Sequence, residues 1–466
     1  HAQPLDGDAP EDVMTDGRVS FYAKGQVKGE WLLTIGYDSD RRDDLTFRRQ
    51  IDPNRFYTLY GDGTEQAFEN DTSRQFYLKL ERDVAALLVG DFDTQMSRGE
   101  LTRYSRRLNG IKADYYNGDW KASAFGANTD QGFVLDTIAG DGTSGIYRLS
   151  RGGLVRNGER VRIVVRDRFA LDQVLSTVNL TRFVDYSIDY NAGTLIFKRP
   201  VESQDTQFNP QFIEVEYELD GRQNEIVAGG RIAYAPGQGE NEIGLSYIED
   251  ATPGVGGRLY GVDAEWEVSR HNRVEIEAAV SDSKATGEGE AYRAELMHES
   301  ERVAGKLFYR EQDASFGLGQ QSALTTGLRR FGVEGELRVR NELTLRAEAQ
   351  RQQDLGVGGG ERDIYGLEAQ YRLNSTNLLL GARKVSEEAA TGRKLDSEQI
   401  LAGITQPLFS GRMQLRGNAE VGLGGGDDSA DFPTRVIGGV DYRLPKGITL
   451  FAEQEFTWGS DRDTQD

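Results

Sequence analysis

The chain of 466 residues contains no cysteine, so neither a disulfide framework nor thiolate chemistry can be proposed for it. It has only three histidines, His1, His271 and His298. His271 falls in a predicted turn and His298 near a predicted strand end, so a histidine-dependent catalytic triad or a zinc site has no basis in the sequence.

Long apolar runs are also missing. No uninterrupted stretch reaches the roughly 18 apolar residues that indicate a transmembrane helix. This absence does not exclude a membrane protein, because a barrel strand crosses a bilayer with about ten residues of alternating character.

Basic residues are fewer than acidic ones, and the formal net charge is −21. An acidic chain argues against nucleic acid as a partner, since phosphate binding requires a basic surface.

The stretch from Leu259 to Val280 shows the pattern that dominates the sequence. Apolar residues alternate with charged or small ones. One face of its first half carries Tyr260, Val262, Ala264, Trp266 and Val268, and the other carries Gly261, Asp263, Glu265 and Glu267. After the polar break SRHN the alternation resumes. Period-two alternation on both sides of a short polar break predicts an antiparallel hairpin with one apolar and one charged face.

Similar hairpins recur along the chain and predict about 20 strands, six before residue 131 and 14 after residue 222. Tight links such as KGE, NGD and SRHN join paired strands, whereas longer segments such as 38–73 and 311–330 separate the hairpins. This layout is typical of outer-membrane barrels. The sequence therefore predicts an all-β protein, a large antiparallel transmembrane β-barrel of about 20 or more strands with an inserted β-sandwich-like domain.

The charged face of these strands is mixed in sign, and a water-filled lumen would hydrate it. The opposite face is dominated by Ala, Gly, Val and Leu, which is leaner than a packed aqueous core requires. We therefore expect a set of charged residues to line the lumen. They are Asp263, Glu265, Glu267, Glu334, Glu336, Arg338, Arg346, Glu348, Glu368, Arg372, Arg416 and Glu420.

Four tryptophans lie on the apolar faces of predicted strands, near the strand ends. They are Trp31, Trp120, Trp266 and Trp458. Amphipathic rings at such positions are typical of the aromatic girdles at membrane interfaces. Four tryptophans are a small set, and the alternative is that they define no belt.

Residues 131–222 break the pattern. They contain short β runs such as RVRIVVRDRF (160–169) and DYSIDYNAGTLIFKRP (185–200). The continuous apolar run at 163–165 indicates a strand buried on both faces. We therefore divide the chain into an N-terminal segment (1–17), first barrel strands (18–130), an inserted β-domain (131–222) that either plugs the lumen or projects from it, remaining barrel strands (223–459) and a C-terminal tail (460–466).

Segments such as GRVSFYAKGQVKGEWLLTIGYDSD, IDPNRFYTLYGDGT and DGTSGIYRLSR resemble the barrel region of large bacterial outer-membrane and surface proteins that carry repeat-rich extracellular domains. A barrel interrupted by a β-domain is also similar in plan to the plugged usher pores that export pilus subunits. The resemblance implies a location in the cell outer membrane. It makes the bilayer, lipopolysaccharide and other envelope or surface proteins the candidate partners.

Three functions remain open at this stage. The first is a channel or protein-export pore that the inserted domain gates or plugs. The second is an outer-membrane anchor for cell-surface domains that transports nothing. The third is a soluble enzyme or binding protein. No catalytic or cofactor motif supports it, and no carboxylate lies in an apolar stretch that would raise its pKa. We expect no enzymatic activity and no cofactor.

The acidic run DSDRRDD (38–44) is a weak candidate for a metal site. Ca²⁺ is a hard ion that prefers several oxygen ligands, and Asp38, Asp40, Asp43 and Asp44 supply carboxylates. The run lacks the glycine and the terminal glutamate of an EF-hand loop. A solvated acidic loop is the alternative.

Overall fold

The computed structural model describes residues 19–39, 75–156, 158–205, 207–238, 241–252, 256–320, 325–356, 359–423, 433–445, 448–458 and 464–465. The helical elements that lie wholly within these residues are two single 3-10 turns, Pro236–Gln238 and Phe409–Gly411. None of the described helices has the length and apolar character needed to cross a membrane. The rest of the regular structure is β-strand.

The strands follow the alternating segments of the sequence. They are β1 (Ser20–Val27), β2 (Trp31–Asp38), β3 (Phe76–Arg82), β4 (Ala85–Asp93), β5 (Arg107–Asn117), β6 (Trp120–Ala139), β7 (Tyr147–Arg148), β8 (Arg160–Arg166), β9 (Val174–Asn179), β10 (Tyr186–Asp189), β11 (Thr194–Phe197), β12 (Gln211–Tyr234), β13 (Glu242–Asp250), β14 (Gly257–Ser269), β15 (Asn272–Ser283), β16 (Gly287–Glu299), β17 (Val303–Gln312), β18 (Leu328–Arg340), β19 (Leu343–Asp354), β20 (Glu361–Leu373), β21 (Thr376–Glu388), β22 (Lys394–Leu408), β23 (Met413–Gly422), β24 (Thr434–Arg443), β25 (Thr449–Trp458) and β26 (Thr464–Gln465).

Twenty of these strands form one antiparallel wall. β1 to β6 pair in sequence order, β6 pairs with β12, and β12 to β25 again pair in sequence order. The prediction of an antiparallel barrel wall of about 20 strands is confirmed; among the described strands, six of the wall precede the insert and 14 follow it. β1 and β25 are the first and last strands of this wall in the described part of the chain.

The two faces of the wall differ as the alternation predicts. Outward-facing Leu307, Leu367 and Leu380 are 57%, 59% and 63% exposed. Apolar side chains this exposed are unfavourable in water but favourable against lipid. The inward face carries the charged residues, which pair with one another and with segments inside the barrel. The fold is therefore a large transmembrane β-barrel rather than two sheets packed face to face.

The two rims of the wall differ in their connections. One rim, the tight-turn edge, holds short links such as 28–30, 83–84, 118–119, 270–271 and 341–342. The other rim, the long-loop edge, holds the inner connection 94–106, the insert between β6 and β12, and the strand ends that flank the longer connections after β2, β17 and β23. Hence the inserted domain leaves the wall at the long-loop edge.

The insert is a small β-sandwich built on extensions of two wall strands. Residues 131–139 of β6 pair with 212–220 of β12, and the other edge of β12 pairs with β8, which pairs with β9. A second sheet contains β7, β11 and β10 in that spatial order. The sheets enclose a hydrophobic core that includes Tyr147, Leu154, Val161, Leu195, Phe197, Ile213 and Val215.

The sandwich begins where the wall ladder is interrupted. The β6–β12 register shifts between Asp220 and Glu225, opposite Gln131 and Thr129. A bulge bends a strand and changes its twist. The interruption therefore separates the part of each strand that belongs to the wall from the part that belongs to the sandwich.

Truncating one core residue should destabilise the sandwich selectively. Leu195 is fully buried, whereas the next residue, Ile196, is 48% exposed. Leu195→Ala should cost about 2–5 kcal/mol of the free energy of unfolding, because it removes buried methyl groups and leaves a cavity. Limited proteolysis in urea, scored for cleavage within 140–210, measures the effect. Ile196→Ala is the matched control, and equal sensitivity of the two variants would contradict this core assignment.

One carboxylate in the sandwich contradicts a sequence expectation. The side chain of Glu159 is nearly inaccessible to solvent, and it accepts hydrogen bonds from Tyr186 (3.2 Å) and Tyr190 (3.0 Å). Burial raises the pKa of Glu159 above its ordinary value. The expectation that no carboxylate has a raised pKa was therefore wrong. The surrounding tyrosines come from residues about 30 positions away, which the sequence neighbourhood of Glu159 does not reveal.

Candidate channel lumen and its cap

The residues predicted to line the lumen share the inward face of the wall. Each is opposite another inward residue in the ladders, for example Asp263 opposite Glu277, Arg346 opposite Glu368 and Arg416 opposite Gly439. Most have an ionic partner of opposite sign. Glu336 contacts Arg346 at 3.0 Å, and Glu334 contacts Lys306 at 3.3 Å.

The inward face near β12 to β14 contains tighter pairs. Arg231 contacts Glu242 at 2.6 Å and Asp263 at 2.5 Å, and Arg273 contacts Glu265 at 3.3 Å. Closer to the tight-turn edge, Arg338 and Arg372 donate hydrogen bonds to the backbone carbonyls of Glu301 and Asn341. This part of the lumen is therefore a network of compensated charges rather than a surface of one sign.

A cavity of about 810 Å³ lies inside the barrel. At one end it reaches the tight turn at Ser269–Asn272. At the other end it meets Phe169 and Phe208 of the insert. Its wall includes Glu267, Lys306, Glu334, Glu336, Arg346, Glu348, Glu368 and Arg383. The cavity thus extends from the tight-turn edge to the insert, which covers it toward the long-loop edge.

Two loops of the insert cross the lumen. The first tip comprises residues 167–173, between β8 and β9, and the second tip comprises residues 202–205 and 207–209, which precede β12. We refer to these two loops together as the cap. Because the sandwich is attached at β6 and β12, the tips must reach across the lumen to contact the opposite wall.

The first tip is fixed by an arginine–carboxylate pair. The Arg168 guanidinium donates two hydrogen bonds to Glu420 of β23, at 2.8 and 2.6 Å. The same carboxylate accepts hydrogen bonds from Arg383 (3.3 Å) and Arg435 (3.1 Å). Bidentate pairs of this kind fix orientation as well as distance. Glu420 was predicted to line the lumen, and its structural role is to hold the cap.

Phe169 makes the apolar part of the same contact. It is buried against Ile364 and Val385 of the wall. The guanidinium of Arg383 lies 4.1 Å from its ring centroid and that of Arg168 lies 4.5 Å away. A ring between two cations gains electrostatic stabilisation from its negative faces. The tip is therefore held by packing and by charge together.

Two further contacts extend the attachment along the wall. Asp172 of the first tip contacts Arg330 at 2.7 Å and Arg310 at 2.8 Å. In the second tip, Gln204 accepts a hydrogen bond from Arg435 at 3.1 Å. The Arg435 guanidinium also lies 3.9 Å from the ring centroid of Phe208. Gln204 also donates a hydrogen bond to Glu455 of β25, so the cap spans from β17 and β18 to β25.

A second segment inside the barrel was not singled out from the sequence. Residues 94–106, which we call the inner loop, connect β4 to β5. The Leu101 amide donates to Glu277 at 2.9 Å, and Arg310 donates to Glu100 at 2.8 Å. Leu101 and Tyr104 are buried in a hydrophobic cluster with wall residues. The inner loop fills the lumen beside β13 to β17, so the open cavity is displaced toward the other strands.

The inner loop is anchored by Arg106, whose side chain is inaccessible to solvent. It contacts Asp250 of β13 at 3.0 Å and Glu218 of the insert at 3.5 Å, and donates to the Gln131 carbonyl at 2.9 Å. The Tyr104 hydroxyl also donates to Asp250, at 2.6 Å. One guanidinium therefore joins the wall, the inner loop and the base of the insert.

The four tryptophans lie on the outward face of the wall. Trp120 packs against Tyr234, with ring centroids 5.0 Å apart, and Trp458 stacks on Phe456. Arg82 lies 5.7 Å from the ring of Trp31, and Trp266 is 43% exposed. Trp31, Trp120 and Trp266 lie toward the tight-turn edge and Trp458 toward the long-loop edge. The girdle interpretation remains a prediction, since no lipid contact has been measured.

The acidic run 38–44 lies mostly outside the described residues. Asp38 is the last residue of β2, and its amide donates to the Gln75 carbonyl at 2.9 Å. Asp40, Asp43 and Asp44 fall outside the described part of the chain. Among the residues that the structure describes, no group of three or more carboxylate, histidine or cysteine side chains is arranged to hold a metal ion.

No protein-family model matches the sequence, and no curated protein matches it. The chain is similar to several solved structures. The P pilus usher (PapC) translocation pore has a TM-score of 0.38 and 12% identity, over 95% of this chain and 86% of that one. OpdQ of Pseudomonas aeruginosa has a TM-score of 0.33 and 10% identity, over 87% and 92%. The siderophore receptor PiuA of Acinetobacter baumannii has a TM-score of 0.27 and 11% identity, over 96% and 72%.

An usher pore is thus among the structures that this chain is similar to, as the sequence indicated. At these TM-scores and identities the similarities carry no argument about activity. The fold described above depends on the strand ladders and on the contrast between the two faces of the wall.

Proposed function

We propose that this chain is an outer-membrane channel whose lumen is closed toward the long-loop edge by the inserted sandwich. The observation that carries the proposal is the position of the cap between a polar cavity and the long-loop edge. The cap contacts the wall through ion pairs and two aromatic rings rather than through a continuous hydrophobic interface. Such contacts are directional and can be broken as a unit when the tips move.

The lining of the cavity indicates the class of cargo. Carboxylates such as Glu334 and Glu368 alternate with cations such as Lys306 and Arg346. A lining that carries charges of both signs can hydrate a polar cargo. It suits polar solutes or an extended, unfolded polypeptide. A barrel of 20 strands is also wide enough to leave a passage once its contents move aside.

The second candidate function is an anchor that holds surface domains and transports nothing. The inner loop favours it, because this segment occupies part of the lumen and is anchored by the buried side chains of Arg106 and Tyr104. The two proposals differ in one respect. A channel must conduct when the cap is released, whereas an anchor stays closed because the remaining contents still fill the barrel.

Charge reversal at Arg168 tests the proposal. Arg168→Glu replaces the pair with Glu420 by a repulsion, and breaking a buried pair costs about 3–5 kcal/mol. Each 1.4 kcal/mol changes a population about tenfold, so the open fraction should rise at least about tenfold if only part of that energy opposes opening. Single-channel recording in planar bilayers measures the open fraction.

Arg199→Glu is the matched control, because it makes the same charge change at an exposed position of the insert. The open fraction of the Arg199→Glu variant should equal that of the unmodified chain. If Arg168→Glu inserts stably into the bilayer but stays as silent as Arg199→Glu, the cap does not gate conduction and the anchor function is favoured.

A further inference from the structure

Arginine side chains form a row across the inward face of the wall. Arg293 of β16 is directly opposite Arg310 of β17, which is directly opposite Arg330 of β18. The same row continues through Gln352 of β19 to Arg362 of β20. Like charges at directly opposite positions are destabilising, and an arginine in a protein does not lose its proton. The row therefore requires carboxylates beside it.

The compensating carboxylates come both from the wall and from the segments inside the barrel. Glu295 of β16 belongs to the wall and contacts Arg310 at 2.6 Å. Glu100 of the inner loop contacts Arg310 at 2.8 Å. Asp172 of the cap contacts Arg310 at 2.8 Å and Arg330 at 2.7 Å. Part of the charge balance of the row therefore depends on the cap staying in place.

Arg330 depends on the cap more than its neighbours do. Its side chain is 6% exposed, and in the described part of the chain Asp172 supplies the carboxylate that contacts it. The other contacts of its guanidinium are with the neutral amide oxygen of Gln350, at 3.3 Å, and with the ring of Phe308, whose centroid is 4.7 Å away. Its Nε is buried and has no hydrogen-bond partner among the described residues. If Asp172 moved away with the cap, Arg330 would be a buried cation without an anion, which is strongly unfavourable.

A second, smaller cavity of about 90 Å³ adjoins this contact. Its lining contains more cations than anions, and it includes Arg168, Arg293, Arg310, Arg330, Arg362, Glu100, Asp172 and Glu311. A space of this size holds several water molecules or a small carboxylate. The planar guanidinium group matches a carboxylate through two parallel hydrogen bonds. There is thus room for a further anionic group beside Asp172, next to the two arginines that it contacts.

We propose that Arg310 and Arg330 form a carboxylate-binding site for the transported solute, and that Asp172 occupies this site while the cap is closed. On opening, Asp172 leaves with the cap, and a carboxylate of the solute takes its place between the two guanidinium groups. A solute that binds only after Asp172 has left favours the open state, because a ligand shifts an equilibrium toward the state that it prefers. The cargo is thereby narrowed from polar solutes to those that carry carboxylates. The site depends only on the contacts above, whereas its role in cargo selection rests on the proposed channel function.

Binding of succinate to variants at position 172 tests the site. Asp172→Asn removes the competing carboxylate but keeps the shape of the side chain. In detergent, this variant should bind radiolabelled succinate at least about tenfold more tightly than the unmodified chain, because the tethered competitor has a high effective concentration. Equilibrium dialysis at constant ionic strength measures the dissociation constant, and Asp172→Ala is a second variant with the same expected gain. Glu288→Gln is the matched control, since it removes the same charge at an exposed position of β16, and it should bind succinate as weakly as the unmodified chain.

Two further measurements assign the binding to the arginines and to carboxylate chemistry. Adding Arg330→Gln to the Asp172→Asn variant should return the affinity to within about twofold of that of the unmodified chain, because the guanidinium fork is lost. Succinamide, an uncharged analogue of succinate, should not displace the radiolabelled succinate. If inorganic phosphate displaces it as well as unlabelled succinate does, the site binds anions in general and the carboxylate assignment is wrong.

Binding and conductance together separate this inference from the proposed channel. If both variants at position 172 migrate as folded barrels but bind succinate no more tightly than Glu288→Gln, the inference is wrong, whether or not the cap gates conduction. If Asp172→Asn binds succinate with the expected gain but Arg168→Glu does not conduct, the carboxylate site is supported. The channel function, and with it the role of the site in cargo selection, would then be wrong.

Discussion

Replacing residues 131–222 by a short Gly-Ser linker should turn a silent protein into an open channel. Asp130 and Gln223 lie on adjacent strands next to the register shift, so a linker has to span little more than the interstrand spacing of about 4.8 Å. The deletion removes both tips of the cap and the sandwich that supports them. Conductance across a planar bilayer should then be persistent and at least about tenfold above that of the intact chain, because a barrel of this size is not filled by one remaining loop.

This deletion also removes Glu218, so its control must show that the wall is intact. Heat-modifiable migration in a detergent gel reports a folded barrel, and the variant should retain it. If the deletion variant conducts and still migrates as a folded barrel, the channel function is supported. If the deletion variant migrates as a folded barrel but does not conduct, the inner loop alone closes the lumen. The anchor function would then be favoured.

Substituting Arg106 should have the largest effect on stability of any single change outside the sandwich core. Arg106→Met removes the cation but preserves much of the side-chain volume. It leaves Asp250 and Glu218 as neighbouring buried carboxylates without their shared partner. Loss of one member of a buried ionic network costs about 3–5 kcal/mol. In detergent gels, the Arg106→Met variant should stop migrating as a folded barrel at a clearly lower temperature than the unmodified chain.

Arg107→Met is the control for this change. Arg107 is the adjacent residue, its side chain is 42% exposed, and it contacts Asp91 at 3.9 Å. It should shift the transition little. Arg106→Lys should be intermediate, because an ammonium restores the charge but not the planar fork that contacts three acceptors. Equal transitions for Arg106→Met and Arg107→Met would mean that the inner loop contributes nothing to stability.

The wall could be predicted from the sequence because its physical cause is local. A strand between lipid and water must alternate at every residue, and segments such as 259–280 show this without reference to the rest of the chain. The buried strand of the sandwich could also be predicted from its own residues. Ile163 packs toward its core while Val164 is buried on the opposite face, which accounts for the continuous apolar run.

The cap and the inner loop could not be predicted in this way. Arg168 and Glu420 are 252 positions apart, and neither has a sequence neighbourhood that distinguishes it from other charged residues of the lumen. Arg106 lies in a polar stretch typical of an exposed loop, yet its side chain is buried. Contacts of this kind arise from the curvature of the wall, which brings distant strands close to the insert and the inner loop. They produce no periodic pattern in the sequence.

The position of the insert in the chain has a consequence for folding. Each wall strand except β12 pairs with the strand that immediately precedes it, so most of the barrel can assemble by short-range hairpin closure. β12 must find β6 across the whole insert, which is the longest closure between paired wall strands in the described ladders and a kinetically demanding step. The sandwich shortens that search, because β12 is also a strand of its sheet and is held beside the extension of β6 once the sandwich has formed. We therefore expect a fault in the sandwich, far from any lipid, to delay assembly of the 14 strands that follow it.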